Sequence, residues 1–461
     1  MRRVSALPSD IGRIIISAVA DSTSYCGRGG ALECRPAIFF RSGEKDTASK
    51  VRWDRAQVRS RNGAPAVTMH NCRWPLCDGP AAEPMYRHLP CGSGKVSRSA
   101  TPPPVQPARS SKNRLRLVVQ HRHSAQKGGR PMDAVRWGII GTAAIALDKV
   151  IPSMLRAEGV NIVALASRNA DKARAAATRF GIERSYGSYE GILADPEIEA
   201  VYIPLPNHLH VEWTIRAAEA GKHVLCEKPL ALNVEKLNSL IACRDRTGRL
   251  IQEAVMIRAH PQWDEVCRIV SSGEIGEVHA VNGVFTEVNL DPNSIVNDAA
   301  IGGGALFDLG VYPVTAARMV FGTEPERVFA ASAFDPAFGV DRLTSAILLF
   351  SGGRHASMAV STQLAPRHHV EVFGTLKSLS LSNPFNPAPN DQCRIVLNDG
   401  AAAAETRNIA PADQYCLQAE RFSTAVRSGG SAPIELEWSL GTMKILDAIR
   451  RSVESGAPEP V

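Results

Sequence analysis

Val135-Arg136-Trp137-Gly138-Ile139-Ile140-Gly141-Thr142-Ala143-Ala144-Ile145-Ala146 decides the fold. Six residues rich in β-branched and apolar side chains read as a strand, and the glycine after them opens a turn into a helix. The spacing Gly141-x-Ala143-x-x-Ala146 is that of a dinucleotide-binding turn, G-x-G-x-x-G/A, with alanine at the middle glycine. Such a turn brings backbone N–H groups close to a pyrophosphate at the positive end of a helix. The methyl of Ala143 should push that pyrophosphate slightly outward without excluding it. Gly141, Thr142, Ala143, Ile145 and Ala146 are therefore candidate cofactor contacts, the competing reading being an ordinary strand-to-helix turn.

Outward from this turn, strands and helices alternate, the pattern of a parallel sheet covered on both faces. Strands are predicted at 135–140, 161–166, 200–203, 223–226 and 250–256. Helices are predicted at 171–180, 208–220 and 234–247, the first stopped by Gly181 and the second by Gly221. Residues 132–256 read as a Rossmann dinucleotide-binding domain. A site for NAD places Asp or Glu at the end of the second strand to hold the ribose 2′-hydroxyl. This chain has Ser167-Arg168-Asn169 there. A hydroxyl and a guanidinium suit a 2′-phosphate, because Arg makes forked, charge-assisted bonds to phosphate. NADP is the expected cofactor and NAD the alternative. A solvated surface charge is the competing reading of Arg168.

Four motifs follow in order. They are Tyr202-Ile-Pro-Leu-Pro-Asn-His-Leu-His210, Cys226-Glu-Lys-Pro-Leu230, His260-Pro-Gln262 and Gly302-Gly-Gly-Ala-Leu-Phe-Asp308-Leu-Gly-Val-Tyr312-Pro313. In these the sequence resembles the Gfo/Idh/MocA oxidoreductase family, from residue 135 to about 450. Asp308-x-Gly310-x-Tyr312-Pro313 looks most like the branch of glucose–fructose oxidoreductases, xylose dehydrogenases and dihydrodiol dehydrogenases. The resemblance places Pro204, Leu205, Asn207, His210 and Glu227 near the cofactor, with Asn207 and His210 by the nicotinamide ribose. It makes Lys228 the catalytic lysine, presented to the cleft by a cis peptide before Pro229.

The residues themselves support related roles. Lys228 lies just past a strand's C-terminal end, where ligands bind in open α/β sheets. Its charge there could hold a substrate hydroxyl and lower the pKa of a neighbouring phenol. Asp308 and Tyr312 are four apart and would project from one face of a helix. Tyr312 is the candidate proton carrier, and Asp308 would orient Lys228 and the substrate. The glycines at 302–304 would let backbone approach a ligand closely. Packed core residues remain the competing reading for Tyr312, His210 and His260.

From residue 257 to 461 the chain reads as strands at 278–288, 327–334, 344–350, 355–362 and 369–373, with helices at 414–427 and 436–455. Period-two alternation with few crossover helices indicates an α+β domain with a large, mainly antiparallel open sheet. The resemblance implies that this sheet's open face makes a homo-oligomer.

Charge divides the chain. Residues 1–131 carry 23 Lys and Arg against 8 Asp and Glu, a balance of +15, whereas the remainder carries 30 against 38, a balance of −8. The acidic body offers no surface for nucleic acid or membrane, and no stretch reaches the ~20 apolar residues that cross a bilayer. The first 131 residues have no sustained apolar period and read as a disordered or mis-started extension. His70, Cys72, Cys77, His88 and Cys91 fit no usual zinc spacing, so no metal is expected. Scattered cysteines in the body suit a reducing, cytoplasmic setting.

The expected function is hydride transfer between NADP and a sugar or cyclic diol hydroxyl. The alternatives are a non-catalytic sugar or cofactor sensor and a sugar–sugar oxidoreductase with permanently bound NADP. Deleting residues 1–131 should leave a soluble, cofactor-binding protein; an insoluble 132–461 fragment would count against the division read here.

Overall fold

Val135, Trp137, Ile139 and Ile140 are wholly buried, as a central strand of a parallel sheet must be. The computed structural model describes residues 134–401 and 404–461, so readings that fall on 1–131 lie outside the described residues. The central strand is β1 (Val135–Ile140). Around it run β2 (Val160–Ala166), β3 (Arg184–Tyr186), β4 (Ala200–Ile203), β5 (His223–Glu227) and β6 (Ile251–Ala254). All pair in parallel, in the order β3-β2-β1-β4-β5-β6. The order reverses between β1 and β4, which opens a crevice beyond their C-terminal ends.

Local chemistry sets the helices. Asn169 accepts from the N–H groups of Asp171 and Lys172 at 3.0 Å, starting helix Ala170–Phe180, and Gly181 ends it in the left-handed region. Asn233 caps helix Val234–Thr247 in the same way. The helix after the first turn contains a π-helical stretch, Ala146–Val150, a distortion often found beside functional sites.

The second sheet comprises β7 (Val278–Val288), β8 (Arg327–Phe334), β9 (Asp341–Leu349), β10 (His355–Ser361), β11 (Gln363–Gly374), β12 (Ser378–Leu381), β13 (Cys393–Asn398), β14 (Glu405–Ile409) and β15 (Glu459–Pro460). Its order is β14-β13-β12-β11-β7-β10-β9-β8-β15. Every pairing is antiparallel except β7 with β10, so the expected mainly antiparallel open sheet is present as a mixed one. The single parallel pair arises because a helical crossover, Ala305–Leu309 then Val311–Phe321, separates β7 from the hairpins that follow. Helix Val311–Phe321 packs on the inner face. Gly283 makes room for it, since a Cβ there would lie 2.7 Å from the Cβ of Pro313. The outer face leaves Phe329, Ile347, Leu349 and Phe373 exposed.

Helix Gln414–Ser428 turns back to cover the first sheet. Phe422 packs with its ring centroid 5.4 Å from that of Trp137, and the Trp137 indole N–H donates to Ser423 Oγ at 3.1 Å. Phe422 is fully buried, so Phe422→Ala should cost ~3–5 kcal/mol. Equilibrium urea unfolding measures this, and a loss below about 1 kcal/mol, ordinary for any point mutation, would show the helix is not a structural cover.

Candidate functional site

Gly141 follows β1 with φ +125°, and a Cβ there would sit 3.1 Å from Leu205 Cδ2. Only glycine meets both conditions, so the tight turn read from sequence is real. Its N–H donates to Ala166 O at 2.9 Å, placing the ends of β1 and β2 side by side. Ala143 and Ile145 line a cavity of about 240 Å³ at the sheet's reversal point. Ala146 is fully buried in the core beneath, where it packs without reaching the cavity.

Ser167 and Arg168 stand at the end of β2 outside that cavity. Ser167 is buried and its Oγ accepts from Asn169 N–H at 3.3 Å, so the hydroxyl is partly spent on the turn. Arg168 is exposed, reaches the Tyr189 phenol, and pairs with no described carboxylate. Its charge is therefore available to an anion beside the Gly141 turn.

Two loops close the cavity from the other side. Pro204, Leu205 and Asn207 follow β4, and Glu227 and Lys228 follow from β5. His210 joins the loops: its ring nitrogens face Leu205 O at 2.6 Å and Pro229 O at 2.8 Å. It is fully buried, and desolvation pushes its pKa down to about 4 despite the two carbonyls. His210 thus braces backbone rather than presenting a free ring. Asn207 Nδ2 donates to Gly302 O at 2.8 Å, tying the β4 loop to the glycine run. The Glu227 carboxylate accepts from the Tyr202 hydroxyl at 2.6 Å, and burial raises its pKa.

Lys228 Nζ donates to Asp308 Oδ1 and to Asp308 O, both at 2.7 Å. Burial disfavours its charge, but the Asp308 carboxylate outweighs that and leaves the ammonium pKa above its ordinary value. The Lys228–Pro229 peptide is cis. Asp308 and Tyr312 both line the cavity, although Gly310 divides the expected single helix into two. Lys228 Nζ lies 5.3 Å from the centre of the Tyr312 ring.

One expectation needs correction. Lys228 was expected to lower the Tyr312 pKa. Instead burial, then the charges of Glu227, Asp308 and Glu287, hold the phenol well above its ordinary value. The ammonium is engaged by Asp308 and sits over the ring rather than at the hydroxyl, which donates to Met256 Sδ at 3.7 Å. The glycine run, expected to approach a ligand, packs closely on protein, and Gly302 and Gly303 also line a separate cavity of about 380 Å³. A Cβ at Gly304 would lie 2.0 Å from Asp341 Oδ1, and one at Gly303 2.5 Å from Val296 O. His260, left open between roles, caps helix Pro261–Ser271 through Nδ1 and is fully buried.

The cavity also contains residues the motifs did not reveal: Met256, Phe285, Glu287, Asn386 and Tyr415. Glu287 shares the half-buried, cavity-facing side of β7, which strand alternation could have suggested. Tyr415 enters only because its helix crosses back, which no local pattern encodes.

The profile described as "Oxidoreductase family, NAD-binding Rossmann fold" matches residues 135–255, and that of the GFO/IDH/MocA C-terminal domain matches 263–380. The chain belongs to the Gfo/Idh/MocA oxidoreductase family. An uncharacterised oxidoreductase of Rhizobium meliloti is 76% identical over 334 residues, covering 72% of this chain and 100% of that protein. A D-xylose 1-dehydrogenase (NADP(+)) of Haloferax volcanii is 35% identical over 330 residues, covering 70% and 98%. Among solved structures, a 3-ketoreductase from Actinomadura kijaniata in complex with NADP and TDP-benzene superposes with a TM-score of 0.67 at 32% identity, covering 69% and 98%. The first matched segment of this Gfo/Idh/MocA protein contains all six strands of the parallel sheet and the second contains β7 to β11, and most of the cavity residues come from these two segments.

If Arg168 holds a 2′-phosphate, Arg168→Ala should weaken NADP by ~1.5–3 kcal/mol, roughly ten- to a hundredfold, and NAD far less. Fluorescence titration with both nucleotides reads this, and equal losses would remove the residue from cofactor selection.

Proposed function

We propose that this protein is an NADP-dependent oxidoreductase acting on a CH–OH group of a sugar or cyclic diol, with Lys228, Asp308 and Tyr312 as its catalytic residues. The observation that carries the reading is the meeting of Lys228, Asp308 and Tyr312 in one cavity at the reversal point of the parallel sheet. The residues present fit the cofactor: a glycine-only turn faces the crevice, and an exposed guanidinium stands where a carboxylate would reject a 2′-phosphate. NADP, when bound, supplies or accepts the hydride.

The chain's own groups hold the substrate oxygen and move its proton. Lys228 offers a charged donor whose position Asp308 fixes through two hydrogen bonds. Tyr312 is neutral in this environment and spends its hydroxyl on a thioether, a weak acceptor, so a substrate oxygen readily displaces that contact. A neutral phenol donates a proton to the alkoxide formed when a carbonyl is reduced. In the opposite direction it must first release that proton. Glu227, Glu287 and Asn386 add polar groups suited to a polyhydroxylated substrate. The xylose dehydrogenase relative supports a sugar.

The remaining parts of the reading concern setting and assembly. None of the described helices is long and apolar enough to cross a membrane, and the five described cysteines are free, which supports a cytoplasmic enzyme. The exposed apolar side chains on the outer face of the nine-stranded sheet, Phe329 and Ile347 opposite each other among them, support a homo-oligomer.

Steady-state kinetics across a sugar and diol panel test the reading. Tyr312→Phe should lower turnover ~10²–10⁴-fold with cofactor affinity nearly unchanged, the range of a positioned acid. Lys228→Ala should cost at least as much, and the double variant scarcely more, because groups acting as a unit are not additive. Retention of more than about a tenth of turnover by Tyr312→Phe would make the phenol a packing residue.

A further inference from the structure

A second cavity, of about 360 Å³, shares no lining residue with the catalytic one. The short turn Met256–Ala259 contributes to both, Met256 to the catalytic cavity and Arg258 and Ala259 to the second. Trp438 forms part of its wall, with the Arg258 guanidinium 4.0 Å and the Arg318 guanidinium 3.7 Å from its ring. Arg318 is saturated, since it pairs with Glu324 and donates to Trp438 O and Thr442 Oγ1. Arg421 pairs with Asp264 at 3.3 Å and donates to the main-chain oxygen of Arg258.

Arg258 has no such satisfaction. Among the described residues no carboxylate pairs with its guanidinium and no acceptor meets it; its one contact is the indole face. Burial, reinforced by the charge of Arg318, pushes its pKa down to about 10. The guanidinium is half-buried and open to the cavity, and a partly desolvated cation without a counter-charge gains from an anion that supplies one. Trp438 Nε1 and Gln418 Oε1 are buried without partners behind the cavity wall and do not open into it. The cavity therefore presents one forked cation free of protein acceptors, backed by two arginines that are already paired.

We propose that this cavity binds a small oxyanion, a phosphate or a carboxylate, with Arg258 as its principal ligand. The guanidinium fork matches either anion in a bidentate arrangement. The site is separate from the expected 2′-phosphate contact at Arg168, which lies at the end of β2.

Calorimetric titration of the full chain saturated with NADP tests the proposal, using a hexose phosphate, a hexuronate, inorganic phosphate and a neutral hexose as probes. At least one of the three anions should bind with a stoichiometry of one per chain in the presence of the neutral hexose. The preferred probe then distinguishes phosphate from carboxylate. Arg258→Gln should weaken that binding at least tenfold, whereas Arg168→Ala and Lys228→Ala should leave it within twofold, which separates this site from the cofactor and catalytic sites. Arg258→Met supplies a second readout. In anion-free buffer its Tm should equal or exceed that of the natural chain, and the stabilisation by anion should vanish. Absence of anion binding, binding unchanged by Arg258→Gln, or a lowered anion-free Tm in Arg258→Met each overturns the proposal.

Discussion

Lys228 donates to both the carboxylate and the main-chain oxygen of Asp308, and this pair of bonds joins the end of a parallel strand to a helix that belongs to the other sheet. The cavity at the reversal point depends on that junction. Remove the ammonium and Asp308 keeps a half-buried charge without its partner; remove the carboxylate and the lysine loses its direction. Breaking a buried pair by removing one partner typically costs ~3–5 kcal/mol, so the arrangement tolerates neither change well. The remaining contacts across the cavity reinforce the same alignment. Asn207 reaches Gly302 O, and His210 braces the Leu205 and Pro229 carbonyls against each other.

Electrostatics within the cavity are set by burial more than by charge. Glu227, Glu287 and Tyr312 all titrate above their ordinary ranges, and desolvation is the leading cause for each. Lys228 is the exception, because its counter-charge lies within hydrogen-bonding distance. The site therefore combines one fixed ion pair, Lys228 with Asp308, with groups that favour their neutral forms. That suits transfer of a proton to an oxygen bearing transient negative charge.

Much of this was legible in the sequence. β1, β4, β7 and β8 and the helices Val234–Thr247 and Leu436–Ser455 coincide with their predicted spans, because each carries a clear apolar period and sharp ends. Short elements escaped: β3, Arg-Ser-Tyr, and β12, Ser-Leu-Ser-Leu, lack the unbroken apolar run that marks the equally short β4. Helix Pro261–Ser271 was missed although Pro261 at its first turn and His260 as its cap mark its start. The motif residues of the site were found because they are contiguous in the chain. Met256, Glu287 and Tyr415 were not, because what brings them to the cavity is the packing of distant elements. The expected effect of Lys228 on Tyr312 failed for a geometric reason: sequence places two residues in one cavity but does not say which atom of the ring the ammonium meets.

Helix Gln414–Ser428 carries one more implication, for the order in which the chain matures during synthesis. The last strand of the first sheet ends at Ala254, yet Phe422 and Ser423, which cover Trp137, are made much later. At ~5–20 residues per second the ribosome needs on the order of ten to thirty seconds to reach them. Throughout that interval the indole face of Trp137 and its N–H wait without their native cover. The nascent first sheet is thus an incomplete folding unit while the rest of the chain emerges, and the window in which it can meet a chaperone or another nascent chain is written into the position of a single late helix.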